Sequence, residues 1–199
     1  MKNREQGIKI VYEDRWLIVI DKSSGLLTMS TGRSGEVTAY TILTDYLGRV
    51  FIVHRLDRDT SGLLVFAKDQ ETKIALQENW DEVIIERRYH AVLEGIIDDQ
   101  EGWIETWLYE NPKSMKVHCY PLATGDSPDS PPRKDWKYAS SHCRTLKSVE
   151  AEGRWYTHVE FELETGRKNQ IRTQASWIGH PIAGDRKYDA VTNPIGRLA

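Results

Sequence analysis

Long apolar runs are missing from this chain, and none approaches the roughly 20 residues that a membrane-spanning helix needs. Residues 1–7 carry Lys2, Arg4 and Glu5 with no hydrophobic segment behind them, so a secretory signal is not expected either, and the reading is of a cytoplasmic protein without a membrane partner. Cysteine is equally scarce. Cys119 and Cys143 are too few for a disulfide framework and lack the spacing and companions of a zinc site. The six histidines (His54, His90, His118, His142, His158, His180) include no H-E-x-x-H or comparable pair, so no metal is expected. No G-x-x-x-x-G-K-S/T phosphate loop, heptad or internal repeat is present, which excludes P-loop nucleotide hydrolysis, coiled coils and solenoids. A surplus of positive charge is missing too. The net charge of −3 weighs against a uniformly basic, polyanion-binding surface.

What is present is a good supply of large flat side chains, 7 Trp and 9 Tyr, in a composition that is 39% hydrophobic and 29% charged, as in globular proteins. A chain of 199 residues can bury one substantial core, and a single catalytic domain over 1–199 is the economical expectation. Charge is segregated along it. Acidic residues gather at Asp81 and Glu82, at 98–101, at Asp126 and Asp129, and at Glu150 and Glu152; Arg55, Arg58, Arg87, Arg88, Arg167, Lys168, Arg172, Arg186 and Lys187 mark other segments. A locally basic cleft on an acidic body fits this pattern, as do solvated ion pairs of little energetic weight.

Alternation at Ile8, Ile10 and Tyr12, followed by the apolar run 16–20, predicts an opening hairpin around Glu13-Asp14-Arg15. Helical spacing of Val37, Tyr40, Leu43 and Leu47 with Gly48 as a stop predicts a helix over 36–47. Asp69 is placed to cap a second helix with Ile74, Leu76 and Trp80 on its apolar face. From Arg88 strands dominate, at 89–95, 102–109, 115–120, 138–147 and 155–163, before helix returns at 169–178. The class is α+β, a mixed, mostly antiparallel sheet with a few flanking helices. Residues 121–135 hold four prolines and almost nothing apolar, which predicts a mobile surface loop.

The most informative stretch is 54–62, His-Arg-Leu-Asp-Arg-Asp-Thr-Ser-Gly. It sets one carboxylate, Asp57, between Arg55 and Arg58 in a turn joining the apolar runs 50–53 and 63–67, which read as buried strands presenting a loop. Chemistry often sits on such loops. Taken alone, an aspartate between arginines is as readily a structural ion pair.

Three further blocks change that reading. Arg88-Tyr89-His90-Ala91-Val92-Leu93-Glu94-Gly95 begins a strand, Thr165-Gly166-Arg167-Lys168-Asn169-Gln170-Ile171-Arg172 turns from strand into helix, and Gly179-His180-Pro181-Ile182-Ala183-Gly184-Asp185 follows that helix. In this order and spacing, and with the 54–62 loop, they closely resemble the RluA-type family of RNA pseudouridine synthases, over almost the whole chain to Tyr188. The resemblance implies isomerisation of a uridine in ribosomal or transfer RNA to pseudouridine, by a monomer without cofactor or metal, on a sheet with a central cleft. It implies that Asp57 is the essential catalytic group, that Arg172 pairs with it and keeps it ionised, and that Tyr89 stacks on the uracil. It also implies that Arg55 enters the space left by the flipped nucleotide and that Arg58, Arg167, Lys168, Asn169 and Gln170 hold RNA.

The chain departs from the family at three places. Asn169 and Gln174 stand where histidines are common; both residues still donate and accept hydrogen bonds, so altered packing or RNA contact is expected rather than loss of reaction. The first catalytic strand begins by about Ile8, so no S4-type RNA-binding domain is expected ahead of it. Relatives run on beyond the position of residues 197–199, so the chain is expected either to be truncated or to do without an element that would cover a sheet edge. An RNA-binding protein that keeps the cleft but has lost the reaction is the alternative, and a glycoside hydrolase using Asp57 and Asp59 a remote third.

Overall fold

A computed structural model describes residues 7–32, 35–97 and 101–194 of the chain. Contacts divide it into two compact units, residues 1–85 and 86–199. In the first, β1 (Ile8–Glu13) and β2 (Leu17–Lys22) form a hairpin, followed by α1 (Ala39–Leu47), β3 (Phe51–Ile52), β4 (Gly62–Ala67), α2 (Gln70–Glu78) and α3 (Trp80–Val83), with strand order β1-β2-β4-β3. The predicted turn at 13–15 closes because Asp14 Oδ1 accepts from the backbone N–H groups of Trp16 and Leu17, both at 2.8 Å. Ile18 and Ile20 oppose Phe66 and Leu64 across β2 and β4, and all four are fully buried. Burial of each such side chain contributes about 1.5–3 kcal/mol, so these pairs hold the sheet. Helix α1 starts in a capping box between Thr38 and Thr41 and stops at Gly48, whose φ of 77° and N–H bond to the Thr44 carbonyl suit glycine.

Asp69 caps α2 as expected, accepting from the Thr72 N–H at 2.7 Å. The predicted apolar face fares differently. No residue of α2 is buried, Ile74 stays 44% exposed, and the helical path breaks at Asn79 (φ −109°, ψ 25°) before α3 restarts it. Trp80 therefore leaves the stripe and packs instead against His54, ring centroids 4.8 Å apart with the planes tilted by 43°.

The second unit holds β5 (Arg88–Glu94), β6 (Glu101–Glu110), β7 (Val117–Pro121), β8 (Lys137–Ala151), β9 (Arg154–Leu163) and α4 (Gln170–Trp177), with strand order β5-β9-β8-β6-β7. The α+β class stands, but the mixed sheet resolves into two sheets, and every strand pairing among the described residues is antiparallel; the one parallel contact is the isolated bridge of Leu27 with Thr38. The β1–β2, β6–β7 and β8–β9 pairs are hairpins of consecutive strands, whose short connections permit only antiparallel pairing. The β8–β9 hairpin turns through Glu152 (φ 52°) and Gly153 (φ 71°), left-handed positions that match the twist of the strands. Ala91, Leu93, Ile104, Val159 and Phe161 present one face of the sheet to Ala175 of α4 and to Ile182. A second cluster joins Leu108, Val117 and Ala139 to Tyr188, which closes a 3-10 turn at Arg186–Tyr188.

The loop expected to be mobile is tied down at its middle. Asp126 Oδ2 accepts from the indole Nε1 of the fully buried Trp107 at 2.7 Å and from the Ala123 N–H at 2.9 Å. The chain end at residues 197–199 lies outside the described residues.

Candidate active site

The loop between β3 and β4 carries Asp57, half-buried, between the exposed Arg55 and Arg58. Its backbone is fastened on both sides of that residue. Before it, the buried Thr28 hydroxyl accepts from the Leu56 N–H at 3.2 Å and donates to the Leu56 carbonyl at 2.9 Å. After it, the Arg58 carbonyl accepts from the Gly25 N–H at 2.9 Å and from Lys22 Nζ at 3.1 Å, Arg58 Nε donates to the Gly25 carbonyl at 3.1 Å, and Ser24 Oγ donates to the Asp59 carbonyl at 2.8 Å. Gly25 makes this close exchange in a left-handed conformation, φ 86°, that glycine adopts without strain. A carboxylate on a peptide clamped at both flanks is aimed by the backbone itself.

Lys22 was missed at the sequence level. It ends β2 with no exposed surface, and its three ammonium protons meet the carbonyls of Ser23 (3.0 Å), Leu26 (2.8 Å) and Arg58. Burial pushes its pKa down to about 8, against the pull of the Asp59 and Asp57 carboxylates. A lysine two residues past an apolar run is the only sequence signal, and it looks like an ordinary surface residue.

His54 opens the loop. Burial lowers its pKa to about 4, and its Nε2 accepts from the Val65 N–H at 3.1 Å, so the imidazole is neutral near pH 7 and its role is to join the loop to β4.

The second unit supplies the other named residues. Tyr89, on β5, opposes Phe161 of β9 and packs half-buried against the cluster beneath α4. Arg172, one turn into α4, donates from Nε and Nη2 to the Asp185 carboxylate at 2.7 and 2.9 Å. Asp185 is 3% exposed, and the Arg172 guanidinium also lies 5.0 Å from the Tyr188 ring centre. Asp185 stood in a recognised block of sequence but carried no assigned role there; only the turn at 182–185 brings it to the guanidinium, and no spacing rule connects them.

Asn169 takes a left-handed conformation (φ 53°) before α4, a region that asparagine tolerates. It is 8% exposed and its Nδ2 donates to the Tyr188 hydroxyl at 2.8 Å. Gln170 is 2% exposed; its Oε1 accepts from Thr165 Oγ1 and the Arg167 N–H, and its Nε2 donates to the Ser140 carbonyl and Ser141 Oγ. The structure therefore places both inside the unit, where they fix the start of α4. Gln174 is fully buried, donating to the Ile104 and Ala139 carbonyls and to Thr106 Oγ1 while accepting from Ser141 Oγ. Arg167 is exposed, with Nε on the Tyr138 carbonyl at 2.9 Å, and Lys168 is paired with Glu110. No cluster of three metal-ligating side chains occurs among the described residues.

The arrangement is that of a pseudouridylate synthase fold: the structure superposes on human RNA Pseudouridylate Synthase Domain Containing 1 with a TM-score of 0.75 at 22% identity, over 95% of this chain and 72% of that one. The sequence carries the match further. Residues 16–177 fit the model of the RNA pseudouridylate synthase family, and the chain belongs to that family. It is 34% identical over 191 residues to tRNA pseudouridine synthase C of Pectobacterium carotovorum subsp. carotovorum, covering 91% of this chain and 48% of that protein. It is also 34% identical over 187 residues to ribosomal large subunit pseudouridine synthase D of Pseudomonas aeruginosa, covering 91% and 53%. The chain thus spans about half the length of these relatives.

Proposed function

We propose that this chain isomerises a uridine of structured RNA to pseudouridine, with Asp57 as the reacting carboxylate. The glycosidic bond from the sugar to N1 breaks, the freed uracil turns, a bond forms from the sugar to C5, and the C5 proton leaves to water as N1 is protonated. Atoms and charge balance without an oxidant or a cofactor. The single observation that carries this reading is the two-sided clamp of the Asp57 peptide in a chain of this family. Attack on the nucleoside and abstraction of a sugar proton both require the ionised carboxylate, so one group serves either course.

Arg172 is its electrostatic partner, held flat by Asp185 so that the guanidinium meets a carboxylate in one orientation only. Tyr89 lies against the uracil ring. A stacked uridine hides C5 and the glycosidic bond, so the base is extruded at a cost of a few kcal/mol, and the exposed Arg55 enters the gap while Arg58 and Arg167 meet phosphates. Lys168, whose charge Glu110 already balances, contributes less. Asn169 and Gln170 act from within, setting the direction of α4 and with it Arg172. The partner is RNA, ribosomal or transfer RNA as in the names of the relatives, and the working compartment is the cytoplasm.

The test uses unmodified RNA transcribed with tritium at uridine C5. Wild-type protein is expected to release label to water, and Asp57→Asn to lower the rate more than about a thousandfold while RNA affinity is kept. Binding without any release by wild-type protein would instead make it an RNA-binding member of the family that lacks the reaction.

A further inference from the structure

The outer face of the second sheet ends in an aromatic row in which Tyr120 of β7, Trp107 of β6 and Tyr138 of β8 are direct cross-strand partners. Residues directly opposed in neighbouring strands share a face, so three large rings meet there. Trp107 and Tyr138 pack edge to face, 6.0 Å between centres at 71°. The loop over this row is no loose excursion. Asp126 fastens it to the Trp107 indole, Ser130 N–H turns back to the Ser127 carbonyl at 2.9 Å, and Trp136 N–H bonds the Arg133 carbonyl at 3.0 Å.

The consequence is a layered stack. Trp136 lies on Tyr120 at 4.3 Å between ring centres and 16° between planes, and the Arg133 guanidinium lies over the Trp136 ring, 5.3 Å from its centre. Arg133 itself is exposed, so this aromatic pair carries a planar cation within reach of solvent. Lys134 and Lys137 are exposed beside it, and Arg167 reaches the same strand through the Tyr138 carbonyl. Asp129 and Asp135 share the loop, but among the described residues no carboxylate is ion-paired with Arg133, Lys134 or Lys137.

We propose that the Arg133–Trp136–Tyr120 stack is a docking platform for one unpaired base of the substrate RNA, other than the uridine that reacts, with Lys134, Lys137 and Arg167 on the adjoining phosphates. A guanidinium plane backed by an indole gives a base the π-face and the charge that single-stranded RNA recognition employs. An apolar protein partner would find a cation where it needs a hydrophobic anchor, whereas a nucleotide presents both a ring and an anion. Tying down the loop removes the ordering cost that an unstructured insertion would add on binding. The inference rests on the reading of the chain as an RNA-modifying enzyme and gives it a recognition element outside the reacting residues.

Arg133→Lys keeps the charge and removes the plane; Arg133→Gln removes the charge. Arg133 is exposed, so neither change endangers the fold. Affinity is read by fluorescence anisotropy with a labelled, mixed-sequence single-stranded oligoribonucleotide, alongside tritium release from the full RNA. Arg133→Lys is expected to weaken oligonucleotide binding and raise KM by about tenfold with kcat unchanged, and to leave the salt dependence of binding as in wild type. Trp136→Phe, which keeps a stacking ring, is expected to lose less than Trp136→Ala. Wild-type affinity in Arg133→Lys, or a loss in Arg133→Gln that disappears at high salt with no loss in Arg133→Lys, overturns the platform. If wild-type protein releases no tritium, the proposed activity falls, while the anisotropy comparison still decides the platform.

Discussion

Arg172 and Asp185 form a two-point ion pair, Nε to Oδ2 at 2.7 Å and Nη2 to Oδ1 at 2.9 Å, with the aspartate almost wholly buried and the arginine side chain 18% exposed. Two parallel bonds fix the plane of a guanidinium as well as its position. Asp185 thereby fixes the orientation of Arg172 within the second unit.

Asp185→Asn retains one acceptor and removes the charge. We expect a loss of about 2–4 kcal/mol in urea unfolding, because a partly buried guanidinium loses the charge of the buried carboxylate that holds it at two points. Isomerisation is expected to fall by more than about tenfold at unchanged RNA affinity, since orientation rather than binding is lost. Equal losses in kcat and affinity would contradict the positioning role.

Lys22→Met takes the ammonium donor from the carbonyls of Ser23, Leu26 and Arg58, of which the last keeps the Gly25 N–H. Relief from burying an ammonium offsets part of the damage, and a net destabilisation of about 2 kcal/mol is expected by thermal or urea unfolding. Because one of those carbonyls lies next to Asp57, kcat is expected to drop while oligonucleotide affinity holds. An unaltered kcat would show that the clamp does not aim the carboxylate.

His54 gives a pH signature. Its folded pKa of about 4 lies below the ordinary value of 6.5, so between those limits the unfolded chain binds the extra proton and the folded one does not. The stabilisation is present above the unfolded value and is lost as pH falls toward 4. Protonation also ends the bond that Nε2 accepts from Val65. Urea unfolding at pH 7 and near pH 4.5 should show wild type losing about 2 kcal/mol more than His54→Gln, a figure reduced from the full shift because the ring is partly exposed.

Gln174→Leu conserves bulk in a site with no exposed surface but strips partners from the Ile104 and Ala139 carbonyls, Thr106 and Ser141. A loss of about 3 kcal/mol is expected, seen as a lower urea midpoint with unchanged slope. Ser141 also bonds Gln170, so a double-mutant cycle with Gln170→Leu should be non-additive.

Much of the fold was legible before any coordinates. The opening hairpin, the Asp69 cap, the Gly48 stop and the five strands after Arg88 all follow from local chemistry, because turn residues and two- or 3.6-residue periods act over a few neighbours. The apolar stripe of α2 misled, since periodicity reports which residues would share a face and says nothing about whether a partner covers it. The 121–135 loop shows a different limit. Its composition promises no core of its own, yet one aspartate reaching a buried tryptophan fastens it.

The sequence by itself determined the α+β class, the family and the identity of Asp57, Tyr89 and Arg172 as candidates, because residue type and order within a motif are one-dimensional properties. Tertiary structure alone decided that Lys22 and Thr28 grip the Asp57 peptide, that Asp185 orients Arg172, and that Asn169 and Gln170 are interior supports. The physical reason is separation along the chain. Thr28 and Leu56 are 28 positions apart and Lys22 and Arg58 are 36, and no local preference encodes a hydrogen bond that exists only once the sheet has paired.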